Sequence, residues 1–303
     1  MKILVVGAGA LGTLFGVKLK KFGHEIVFLV KNPTLVSILK EKGFTVKGNA
    51  KETAYCHVFT ANNLPTMRFD LVLFMVKAYD TESAIASLKN IETHYILSLQ
   101  NGIGHQDILK SFFGEEKTLI GITGEGSLYI SPGEVVHTGR GETTISFFKD
   151  RKGALYIADI LKKAGFIVSV ADDRESILWG KLIINAAINP LSALTSKRNG
   201  ELLKTELLEI MKKVIEEGIL VANSLRIKLP YSNPEEKLKE ILEKTSSNKS
   251  SMLQDIERKR RTEIDYINGY IVRKARENNI EVPLNRALYT LVKAMERYLR
   301  FSQ

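Results

Sequence analysis

The amino-acid sequence predicts an α/β domain at residues 1–170, followed by an all-α domain at residues 171–303. In the first half, short apolar runs alternate with amphipathic stretches, a pattern typical of a parallel sheet covered by helices. From about residue 171 onward, apolar residues recur at helical spacing, and no comparably clear strand follows. A chain of 303 residues that is 44% hydrophobic is long enough to bury a core in each domain.

The elements of the first domain follow from the order of its apolar runs. Short runs that glycine or polar residues interrupt are expected to be strands, and longer amphipathic stretches between them are expected to be helices. The glycines inside 133–148 favour a hairpin there. The expected elements are strands at 3–6, 25–30, 71–76 and 95–100, helices at 13–24, 33–43 and 80–90, the hairpin at 133–148, a helix at 153–165 and a strand beginning at 166.

The cysteine content and the lengths of the apolar runs indicate the cellular compartment. The single cysteine, Cys56, excludes an internal disulfide and a cysteine zinc cluster, which suits a reducing compartment. The N-terminal apolar run breaks into glycines after four residues, which is too short for a signal peptide. No run approaches the eighteen apolar residues of a membrane span. We therefore expect a cytoplasmic protein with no membrane partner and no metal site.

The formal net charge of +10 attracts nucleic acid, acidic membrane surfaces and anionic small molecules alike, so charge does not choose among them. The densest basic run, at 257–263, is expected to be the solvated face of a helix. The sequence has no zinc finger, RNA-recognition signature or interleaved basic and aromatic pattern. Nucleic acid is therefore the disfavoured partner.

A glycine fingerprint follows the first predicted strand. Gly7-Ala8-Gly9-Ala10-Leu11-Gly12 matches G-x-G-x-x-G and lies between a strand and a helix, the context that dinucleotide binding requires. In this motif Gly7 permits a tight turn, Gly9 lets the backbone approach a pyrophosphate, and Gly12 lets the helix pack on the strand. The phosphates then meet the free N–H groups of the helix. The sequence thus predicts a Rossmann-type dinucleotide-binding domain.

Polar residues at the ends of later strands bear on the choice of dinucleotide. An NAD site normally presents Asp or Glu after the second strand, but this chain has Lys31 and Asn32 there. A cation and an amide suit a 2′-phosphate better, so NADP(H) is favoured. If Lys31 is an ordinary surface lysine, NADH stays an alternative. Lys77 and Asn101 also follow strands and are expected to face the nicotinamide half, with a surface lysine and a simple turn as the alternatives.

A row of polar residues crosses an otherwise apolar stretch in the second half. Lys181, Asn185 and Asn189 lie four residues apart, so they fall within about 80° of one another around a helix. Burying such a face without partners is expensive, which indicates a wet cavity or a bound ligand. Pro190 removes the hydrogen bond to the carbonyl of Ala186, so a kink or a helix end at Asn189 is expected.

If the predicted dinucleotide delivers a hydride to a carbonyl, the enzyme also needs a proton donor near the carbonyl oxygen. All five histidines precede residue 171 and none shows an orienting partner in the sequence, which moves attention to Lys181.

Six blocks, in order along nearly the whole chain, resemble ketopantoate reductase, the 2-dehydropantoate 2-reductase of pantothenate and coenzyme A synthesis. The blocks are GAGALG at 7–12, VKAYDTESA at 76–84, LQNGIG at 99–104, WGKLIINAAINPLSAL at 179–194, RNGELL at 198–203 and SSMLQDIERKRRTEIDYINGYIVRKA at 250–275. The resemblance implies NADPH-dependent reduction of 2-dehydropantoate to (R)-pantoate. It also implies an N-terminal Rossmann domain and a helical substrate-binding and dimerisation domain that together enclose the cleft.

The resemblance implies a role for each matching residue. Lys181 would donate the proton and Glu263 would assist near the cofactor. The residues implied to contact substrate are Asn101, Lys181, Asn185, Asn189, Asn199 and Ser251. The residues implied to contact cofactor are Gly7, Ala8, Gly9, Ala10, Leu11, Gly12, Lys31, Lys77, Asn101, Gly126 and Glu263. Some relatives have arginine where this chain has Lys31, which weakens bidentate binding of a phosphate.

Local patterns give some of these residues a structural alternative. Ser251 and Gln254 have the spacing of a capping box, so Ser251 is expected to begin a helix and to serve as cap, ligand or both. Glu263 would then lie about three helical turns further on. A surface ion pair of Glu263 with Arg260 or Arg261 stays open, as does a simple turn at Asn199.

Further expectations concern alternative functions, assembly and regulation. A reductase of another branched 2-oxo acid and a noncatalytic NADP(H) sensor are the alternatives to ketopantoate reduction, and the retained polar row argues against the sensor. The apolar faces of the long helical domain favour a homodimer. Coenzyme A is a candidate feedback inhibitor, since a basic site for one adenine nucleotide can accept another.

Overall fold

The computed structural model describes residues 1–48, 51–89 and 91–301. Its contacts divide the chain into two units. The first comprises Met1–Gln100 with His105–Arg174, and the second comprises Asn101–Gly104 with Glu175–Gln303. The short loop 101–104 therefore belongs with the helical half, although it interrupts the first unit in sequence.

The first unit is a mixed α/β domain, as predicted. Its strands are β1 (Lys2–Val6), β2 (Glu25–Leu29), β3 (Phe44–Lys47), β4 (Glu52–Ala54), β5 (His57–Phe59), β6 (Arg68–Phe74), β7 (Glu92–Ser98), β8 (Thr118–Thr123), β9 (Gly126–Ser131), β10 (Glu134–Gly139), β11 (Glu142–Phe147) and β12 (Ile167–Val170). Its helices are α1 (Ala10–Lys21), α2 (Pro33–Lys42), α3 (Thr81–Ala86), α4 (His105–Phe113) and α5 (Arg151–Lys163).

Eight of these strands form one sheet in the order β12-β11-β8-β7-β6-β1-β2-β5. Six neighbouring strands of this sheet are mutually parallel, namely β8, β7, β6, β1, β2 and β5. Among them, β1 lies between β2 and β6. This is the strand order of a Rossmann domain, in which ligands bind beyond the carboxyl ends of the strands where the order reverses. The fully buried run Ile3–Val5 in β1 explains why this strand reads as uniformly apolar, since helices cover both faces of such a sheet.

The hairpin expected at 133–148 is wrong. β10 pairs with β9 and β3 in a separate four-stranded sheet, whereas β11 lies between β8 and β12 in the large sheet. Gly141, between β10 and β11, allows a close approach of two backbone segments, since a Cβ on this residue would lie 2.2 Å from the carbonyl oxygen of Gly124. The chain crosses from one sheet to the other at this point instead of turning back on itself.

The second unit is helical in its described residues. Its helices are α6 (Arg174–Thr195), α7 (Asn199–Leu202), α8 (Leu207–Ser224), α9 (Pro234–Lys244), α10 (Ser251–Glu257), α11 (Asn268–Glu277) and α12 (Pro283–Phe301). Trp179 on α6 is 1% exposed and packs edge-on against Tyr270 of α11, with ring centroids 5.9 Å apart. This contact joins the first turns of α6 to α11 in the core of the unit.

Helix α6 is long and apolar enough to cross a membrane. However, most of this helix is buried inside the protein, and the core helix of a soluble protein has the same length and composition. Pro190 lies inside this helix, and α6 continues to Thr195. The alternative of a helix end at Asn189 is therefore wrong. The carbonyl of Ala186, which the proline leaves without its helical donor, accepts a hydrogen bond from Nδ2 of Asn268 at 3.0 Å.

Candidate active site

The glycine fingerprint forms the turn between β1 and α1. Gly7 has a φ of +104°, a conformation that a side chain would strain. Gly12, in the first turn of α1, packs against this turn so closely that an added Cβ would lie 2.0 Å from the carbonyl oxygen of Gly7. Both glycines are therefore required by the fold of the turn itself.

Gly9 has a different reason to be glycine. No atom lies within 4 Å of the position that its Cβ would take, so a side chain would project into open space. The helix that begins at Ala10 has no side-chain cap at Gly9 and no acidic residue in its first turn. Its first N–H groups and the positive end of its dipole therefore remain available to an anion. Gly9 and the half-buried Ala8, Ala10 and Leu11 fit the pyrophosphate of a dinucleotide.

A buried hydrogen-bonded pair of side chains lies beside this turn, and the sequence analysis missed it. The carboxylate of Glu125 forms a short hydrogen bond with Nε2 of His137, and the side chains are only 1% and 14% exposed. In the β9–β10 register His137 lies opposite Ser127, whose hydroxyl donates to the carbonyl of Ala10 at 3.1 Å. The view that no histidine has an orienting partner is thus wrong for His137. Gly126, the implied cofactor contact, lies between Glu125 and Ser127.

Lys31 follows the carboxyl end of β2 and Lys77 follows that of β6, and these two strands flank β1 in the sheet. The Lys31 side chain is 83% exposed, and its ammonium lies 3.4 Å from the carboxylate of Asp80. Asn32, which follows it, caps α2 by accepting a hydrogen bond from the N–H of Thr34 at 2.9 Å. Lys77 is half-buried and precedes the short 3₁₀ helix Ala78–Asp80. A 2′-phosphate at Lys31 would therefore compete with Asp80 for the lysine.

The polar row lies on α6 in the second unit. Lys181 and Asn185 are half-buried, and Asn189 is 5% exposed. None of the side-chain hydrogen bonds found in the described part of the chain involves the amide of Asn185 or Asn189. Two amides in such a position are costly to the fold unless a ligand or water satisfies them.

Lys181 has an unusual acidity for a lysine. Burial among protein atoms lowers its pKa from 10.5 to about 8, and the negative charge of Glu263 partly opposes this effect. Burial disfavours the charged ammonium, whereas a nearby carboxylate stabilises it. The lysine thus holds a proton at neutral pH that it can give up far more readily than a surface lysine can.

Glu263 is buried, at 5% exposure, and lies before the 3₁₀ helix Ile264–Tyr266. Helix α10 ends at Glu257, so the basic run 257–263 is not a helix face, and Glu263 does not lie three helical turns from Ser251 on one helix. Arg261 pairs with Asp265 at 3.0 Å. Glu263 itself does not lie at the surface, as the alternative of a surface ion pair requires.

Ser251 is not the cap of α10. The neighbouring Ser250 occupies that position, accepting a hydrogen bond from the N–H of Leu253 at 3.0 Å. Gln254 donates to the carbonyl of Lys249 at 3.2 Å instead of completing a capping box. The two serines differ by one residue, so spacing alone could not separate them. Ser251 is the first helical residue and is half-buried.

Asn199 begins α7 and does not form a simple turn. Its Nδ2 donates to the hydroxyl of Thr245 at 2.8 Å, and its N–H donates to the carbonyl of Asn248 at 3.0 Å. Its Oδ1 is buried and has no hydrogen bond among the described residues. Asn199 therefore supports a helix and keeps one acceptor unused.

The loop 101–104 packs on the segment that follows Glu263. The N–H of Ile103 donates to the carbonyl of Tyr266 at 2.9 Å, and an added Cβ on Gly102 would lie 2.5 Å from the same oxygen. Asn101 thus belongs to the unit that contains Lys181 and Glu263. The fingerprint, Lys31, Lys77 and Gly126 belong to the first unit.

Comparison with known proteins bears on both units. The profile of ketopantoate reductase PanE/ApbA matches residues 3–150, and the profile of its C-terminal domain matches residues 173–296. The chain belongs to the ketopantoate reductase family. The 2-dehydropantoate 2-reductase of Pyrococcus abyssi is 36% identical over 306 residues, which cover 98% of each chain.

Solved structures show the same fold over the full length. A PanE/ApbA family ketopantoate reductase from Ralstonia eutropha has a TM-score of 0.89 and 33% identity, and covers 99% of this chain and 100% of its own. A D-mandelate dehydrogenase solved with NADH and anilino(oxo)acetate has a TM-score of 0.90 and 28% identity, and covers 99% of each chain. The family uses a nicotinamide cofactor, and the open cradle at Gly9 fits one.

Gly12 in α1 and its cap Gly9 give opposite predictions for stability and for dinucleotide affinity. Gly12→Ala forces a methyl group against the Gly7 carbonyl and should cost roughly 1–3 kcal/mol of stability. Gly9→Ala should leave the melting temperature unchanged, because nothing lies near its Cβ, but should weaken dinucleotide affinity roughly tenfold or more. Thermal unfolding and a fluorescence titration with NADPH measure the two effects. Tight NADPH binding by Gly9→Ala would contradict the assignment of the cradle.

The pKa of Lys181 can be measured without any substrate. Lysine-selective NMR titration should show one lysine that loses its proton near pH 8. In Glu263→Gln that pKa should fall further, because the carboxylate that stabilises the ammonium is gone. Glu277→Gln is the matched control, since this exposed carboxylate pairs with Lys274 on α11. A Lys181 pKa near 10.5 in the unchanged protein, or no shift in Glu263→Gln, would refute the pairing.

Proposed function

We propose that this protein reduces 2-dehydropantoate to (R)-pantoate with NADPH. The observation that carries the proposal is the polar row on α6. Lys181 has a pKa lowered to about 8. Asn185 and Asn189 lie one and two helical turns further on, and their amides have no protein partners among the described residues. A 2-oxo acid with a distal hydroxyl needs such a set, namely one proton donor and neutral hydrogen-bonding groups. Relatives named 2-dehydropantoate 2-reductase at 30–36% identity over nearly the full chain support this choice of substrate.

The reaction divides between the two units. When bound, the reduced nicotinamide supplies a hydride to the C2 carbonyl carbon. Lys181 donates its proton to the C2 oxygen as negative charge develops there, and the partly open side chain then regains a proton from solvent. The amides of Asn185 and Asn189 hold the substrate hydroxyl and fix which carbonyl face is presented. Asn199, through its unused acceptor, and the hydroxyl of Ser251 complete the substrate contacts, and Glu263 keeps Lys181 protonated below pH 8.

Removal of the proton donor tests the mechanism. Lys181→Ala should lower kcat for NADPH oxidation with 2-dehydropantoate by about 10²–10⁴-fold, the usual contribution of a general acid. NADPH affinity should stay unchanged, since Lys181 lies in the second unit and the phosphate cradle in the first. Lys213→Ala, which removes an exposed lysine from α8, is the control and should retain full turnover. Near-normal turnover by Lys181→Ala would refute the role of Lys181.

A second candidate substrate is favoured by one comparison. The similarity to a D-mandelate dehydrogenase favours a related reductase that acts on another 2-oxo acid on the same scaffold. Steady-state rates with 2-dehydropantoate, 2-oxoisovalerate and phenylglyoxylate, each with NADPH and NADH, separate the candidates. Turnover of none of them, with NADPH binding intact, would instead favour the noncatalytic sensor.

Lys31 and Asp80 determine the preference between NADPH and NADH in this proposal. Lys31→Ala should raise the KM for NADPH roughly fivefold, about 1 kcal/mol, because an exposed charge contact is worth no more. It should leave the KM for NADH unchanged. Asp80→Asn, the matched variant, should lower the KM for NADPH, because the lysine loses its competing partner. Equal changes for both cofactors would contradict a 2′-phosphate contact at Lys31.

Assembly, regulation and location stay as predictions from the sequence. We propose a homodimer formed through the second unit, for which sedimentation at several protein concentrations is the measurement. Competition of coenzyme A against NADPH in a binding assay tests feedback inhibition. A cytoplasmic location agrees with the burial of α6 in the protein.

A further inference from the structure

Pro190 creates a defect in the helix that carries the polar row. A proline has no N–H, so the carbonyl of Ala186 lacks its helical hydrogen bond in the middle of α6. Ala186 is fully buried, and a buried carbonyl without a donor is costly. Nδ2 of Asn268, the first residue of α11, supplies the missing hydrogen bond at 3.0 Å. Asn268 is itself 0% exposed.

The orientation of the Asn268 amide is fixed by its neighbours. Glu217 on α8 accepts hydrogen bonds from the N–H groups of Leu284 and Asn285 at the start of α12, at 2.8 and 2.9 Å. Nδ2 of Asn285 donates to the same carboxylate at 2.8 Å and to the carbonyl of Val214 at 3.1 Å. Oδ1 of Asn285 must therefore face Asn268 and accept from its Nδ2, at 3.1 Å. The Asn268 amide thus turns its donor toward Ala186.

Asn268 also lies at the end of the segment that holds Glu263. The carbonyl of Glu263 accepts the N–H of Tyr266 at 2.9 Å, and the carbonyl of Ile264 accepts the N–H of Ile267 at 3.2 Å. This tight turn leads directly into Asn268. On the other side, Ala186 follows Asn185 directly and lies within one helical turn of Asn189. One side chain therefore links the helix that bears the row to the segment that bears Glu263.

We propose that Asn268 is a positioning residue for the active site. By supplying the hydrogen bond that Pro190 removes, it holds α6 in the conformation that aligns Lys181, Asn185 and Asn189. An alanine at position 190 would satisfy the Ala186 carbonyl with its own N–H, and α6 would no longer depend on Asn268. The inference rests on the proposed function for its catalytic readout, whereas the coupling of Asn268 to Pro190 does not.

A double-mutant cycle tests the proposal. Asn268→Leu should lower kcat for the 2-oxo acid roughly tenfold, the scale on which small misplacements of reacting groups act, while the KM for NADPH stays unchanged. It should also lower the melting temperature. The addition of Pro190→Ala should restore part of both losses, since a backbone donor returns at position 190. At least a threefold recovery of kcat is expected in the double variant relative to Asn268→Leu.

Asn278→Leu is the matched control. Asn278 also donates an amide N–H to a backbone carbonyl, that of Lys274 at 2.8 Å, but at the opposite end of α11. Its substitution should lower the melting temperature without changing kcat, and Pro190→Ala should not restore that loss. A loss of kcat in Asn278→Leu equal to that in Asn268→Leu would overturn the positioning role.

The coupling of Asn268 to Pro190, the positioning of α6 and the reduction of a 2-oxo acid can each fail separately. Strictly additive melting temperatures in the cycle would refute the coupling of Asn268 to Pro190, whatever the substrate is. A kcat that Pro190→Ala does not restore would refute positioning through Ala186. Failure of the unchanged protein to reduce any 2-oxo acid of the panel would instead refute the proposed function, and the positioning role would fall with it.

Discussion

The hydrogen bond from Asn268 to the carbonyl of Ala186 holds the second unit together around its polar row. Pro190 makes this bond necessary, because it removes the N–H that an α-helix would offer to the carbonyl of Ala186. This hydrogen bond depends in turn on residues of two other helices. Asn285 orients the amide of Asn268, and the buried carboxylate of Glu217 orients Asn285. Helices α6, α8, α11 and α12 thus share one set of hydrogen bonds. Each of these hydrogen bonds depends on the others staying in place, as in buried polar networks that specify a single packing.

A second balance sets the chemistry of the row. Burial lowers the pKa of Lys181 and the negative charge of Glu263 opposes this effect, so that the pKa is about 8. A lysine at the surface would hold its proton too firmly to transfer it at neutral pH, and a fully buried lysine without a carboxylate would not carry one. The five histidines all lie in the first unit, where His105 is buried with its pKa lowered to about 3 and His137 is paired with Glu125. In the proposed function, proton donation therefore falls to the lysine.

The sequence predicted what depends on local spacing and missed what depends on tertiary contact. The fingerprint at 7–12 was readable because strand, turn and helix are consecutive, and the row on α6 was readable because four-residue spacing defines one helix face. The family followed from six blocks in order. Glu125 precedes β9 and His137 lies on β10, so the pairing of these two strands brings them together, and no pattern within either segment predicts it. Ser250 and Ser251 offer the same hydroxyl one residue apart. The glycines near 139–141 favoured a hairpin because the sequence does not show that Gly124 fills the space beside Gly141.

In the proposed function the two units recognise their ligands by opposite means, and this bears on how the fold can serve more than one substrate. The first unit relies on missing side chains: Gly7 and Gly12 shape the turn and Gly9 leaves space, so that backbone N–H groups of α1 would bind the phosphates. Such a site is insensitive to the substrate and can be kept unchanged. In the same proposal the second unit relies on side chains placed at intervals of one helical turn, so a change at position 185 or 189 should alter which distal group is accepted while Lys181 keeps its role. A dehydrogenase for D-mandelate and reductases for 2-dehydropantoate can therefore share nearly the whole backbone. Because the bond between Asn268 and Ala186 involves a backbone carbonyl, it holds α6 in place whichever side chains the row presents.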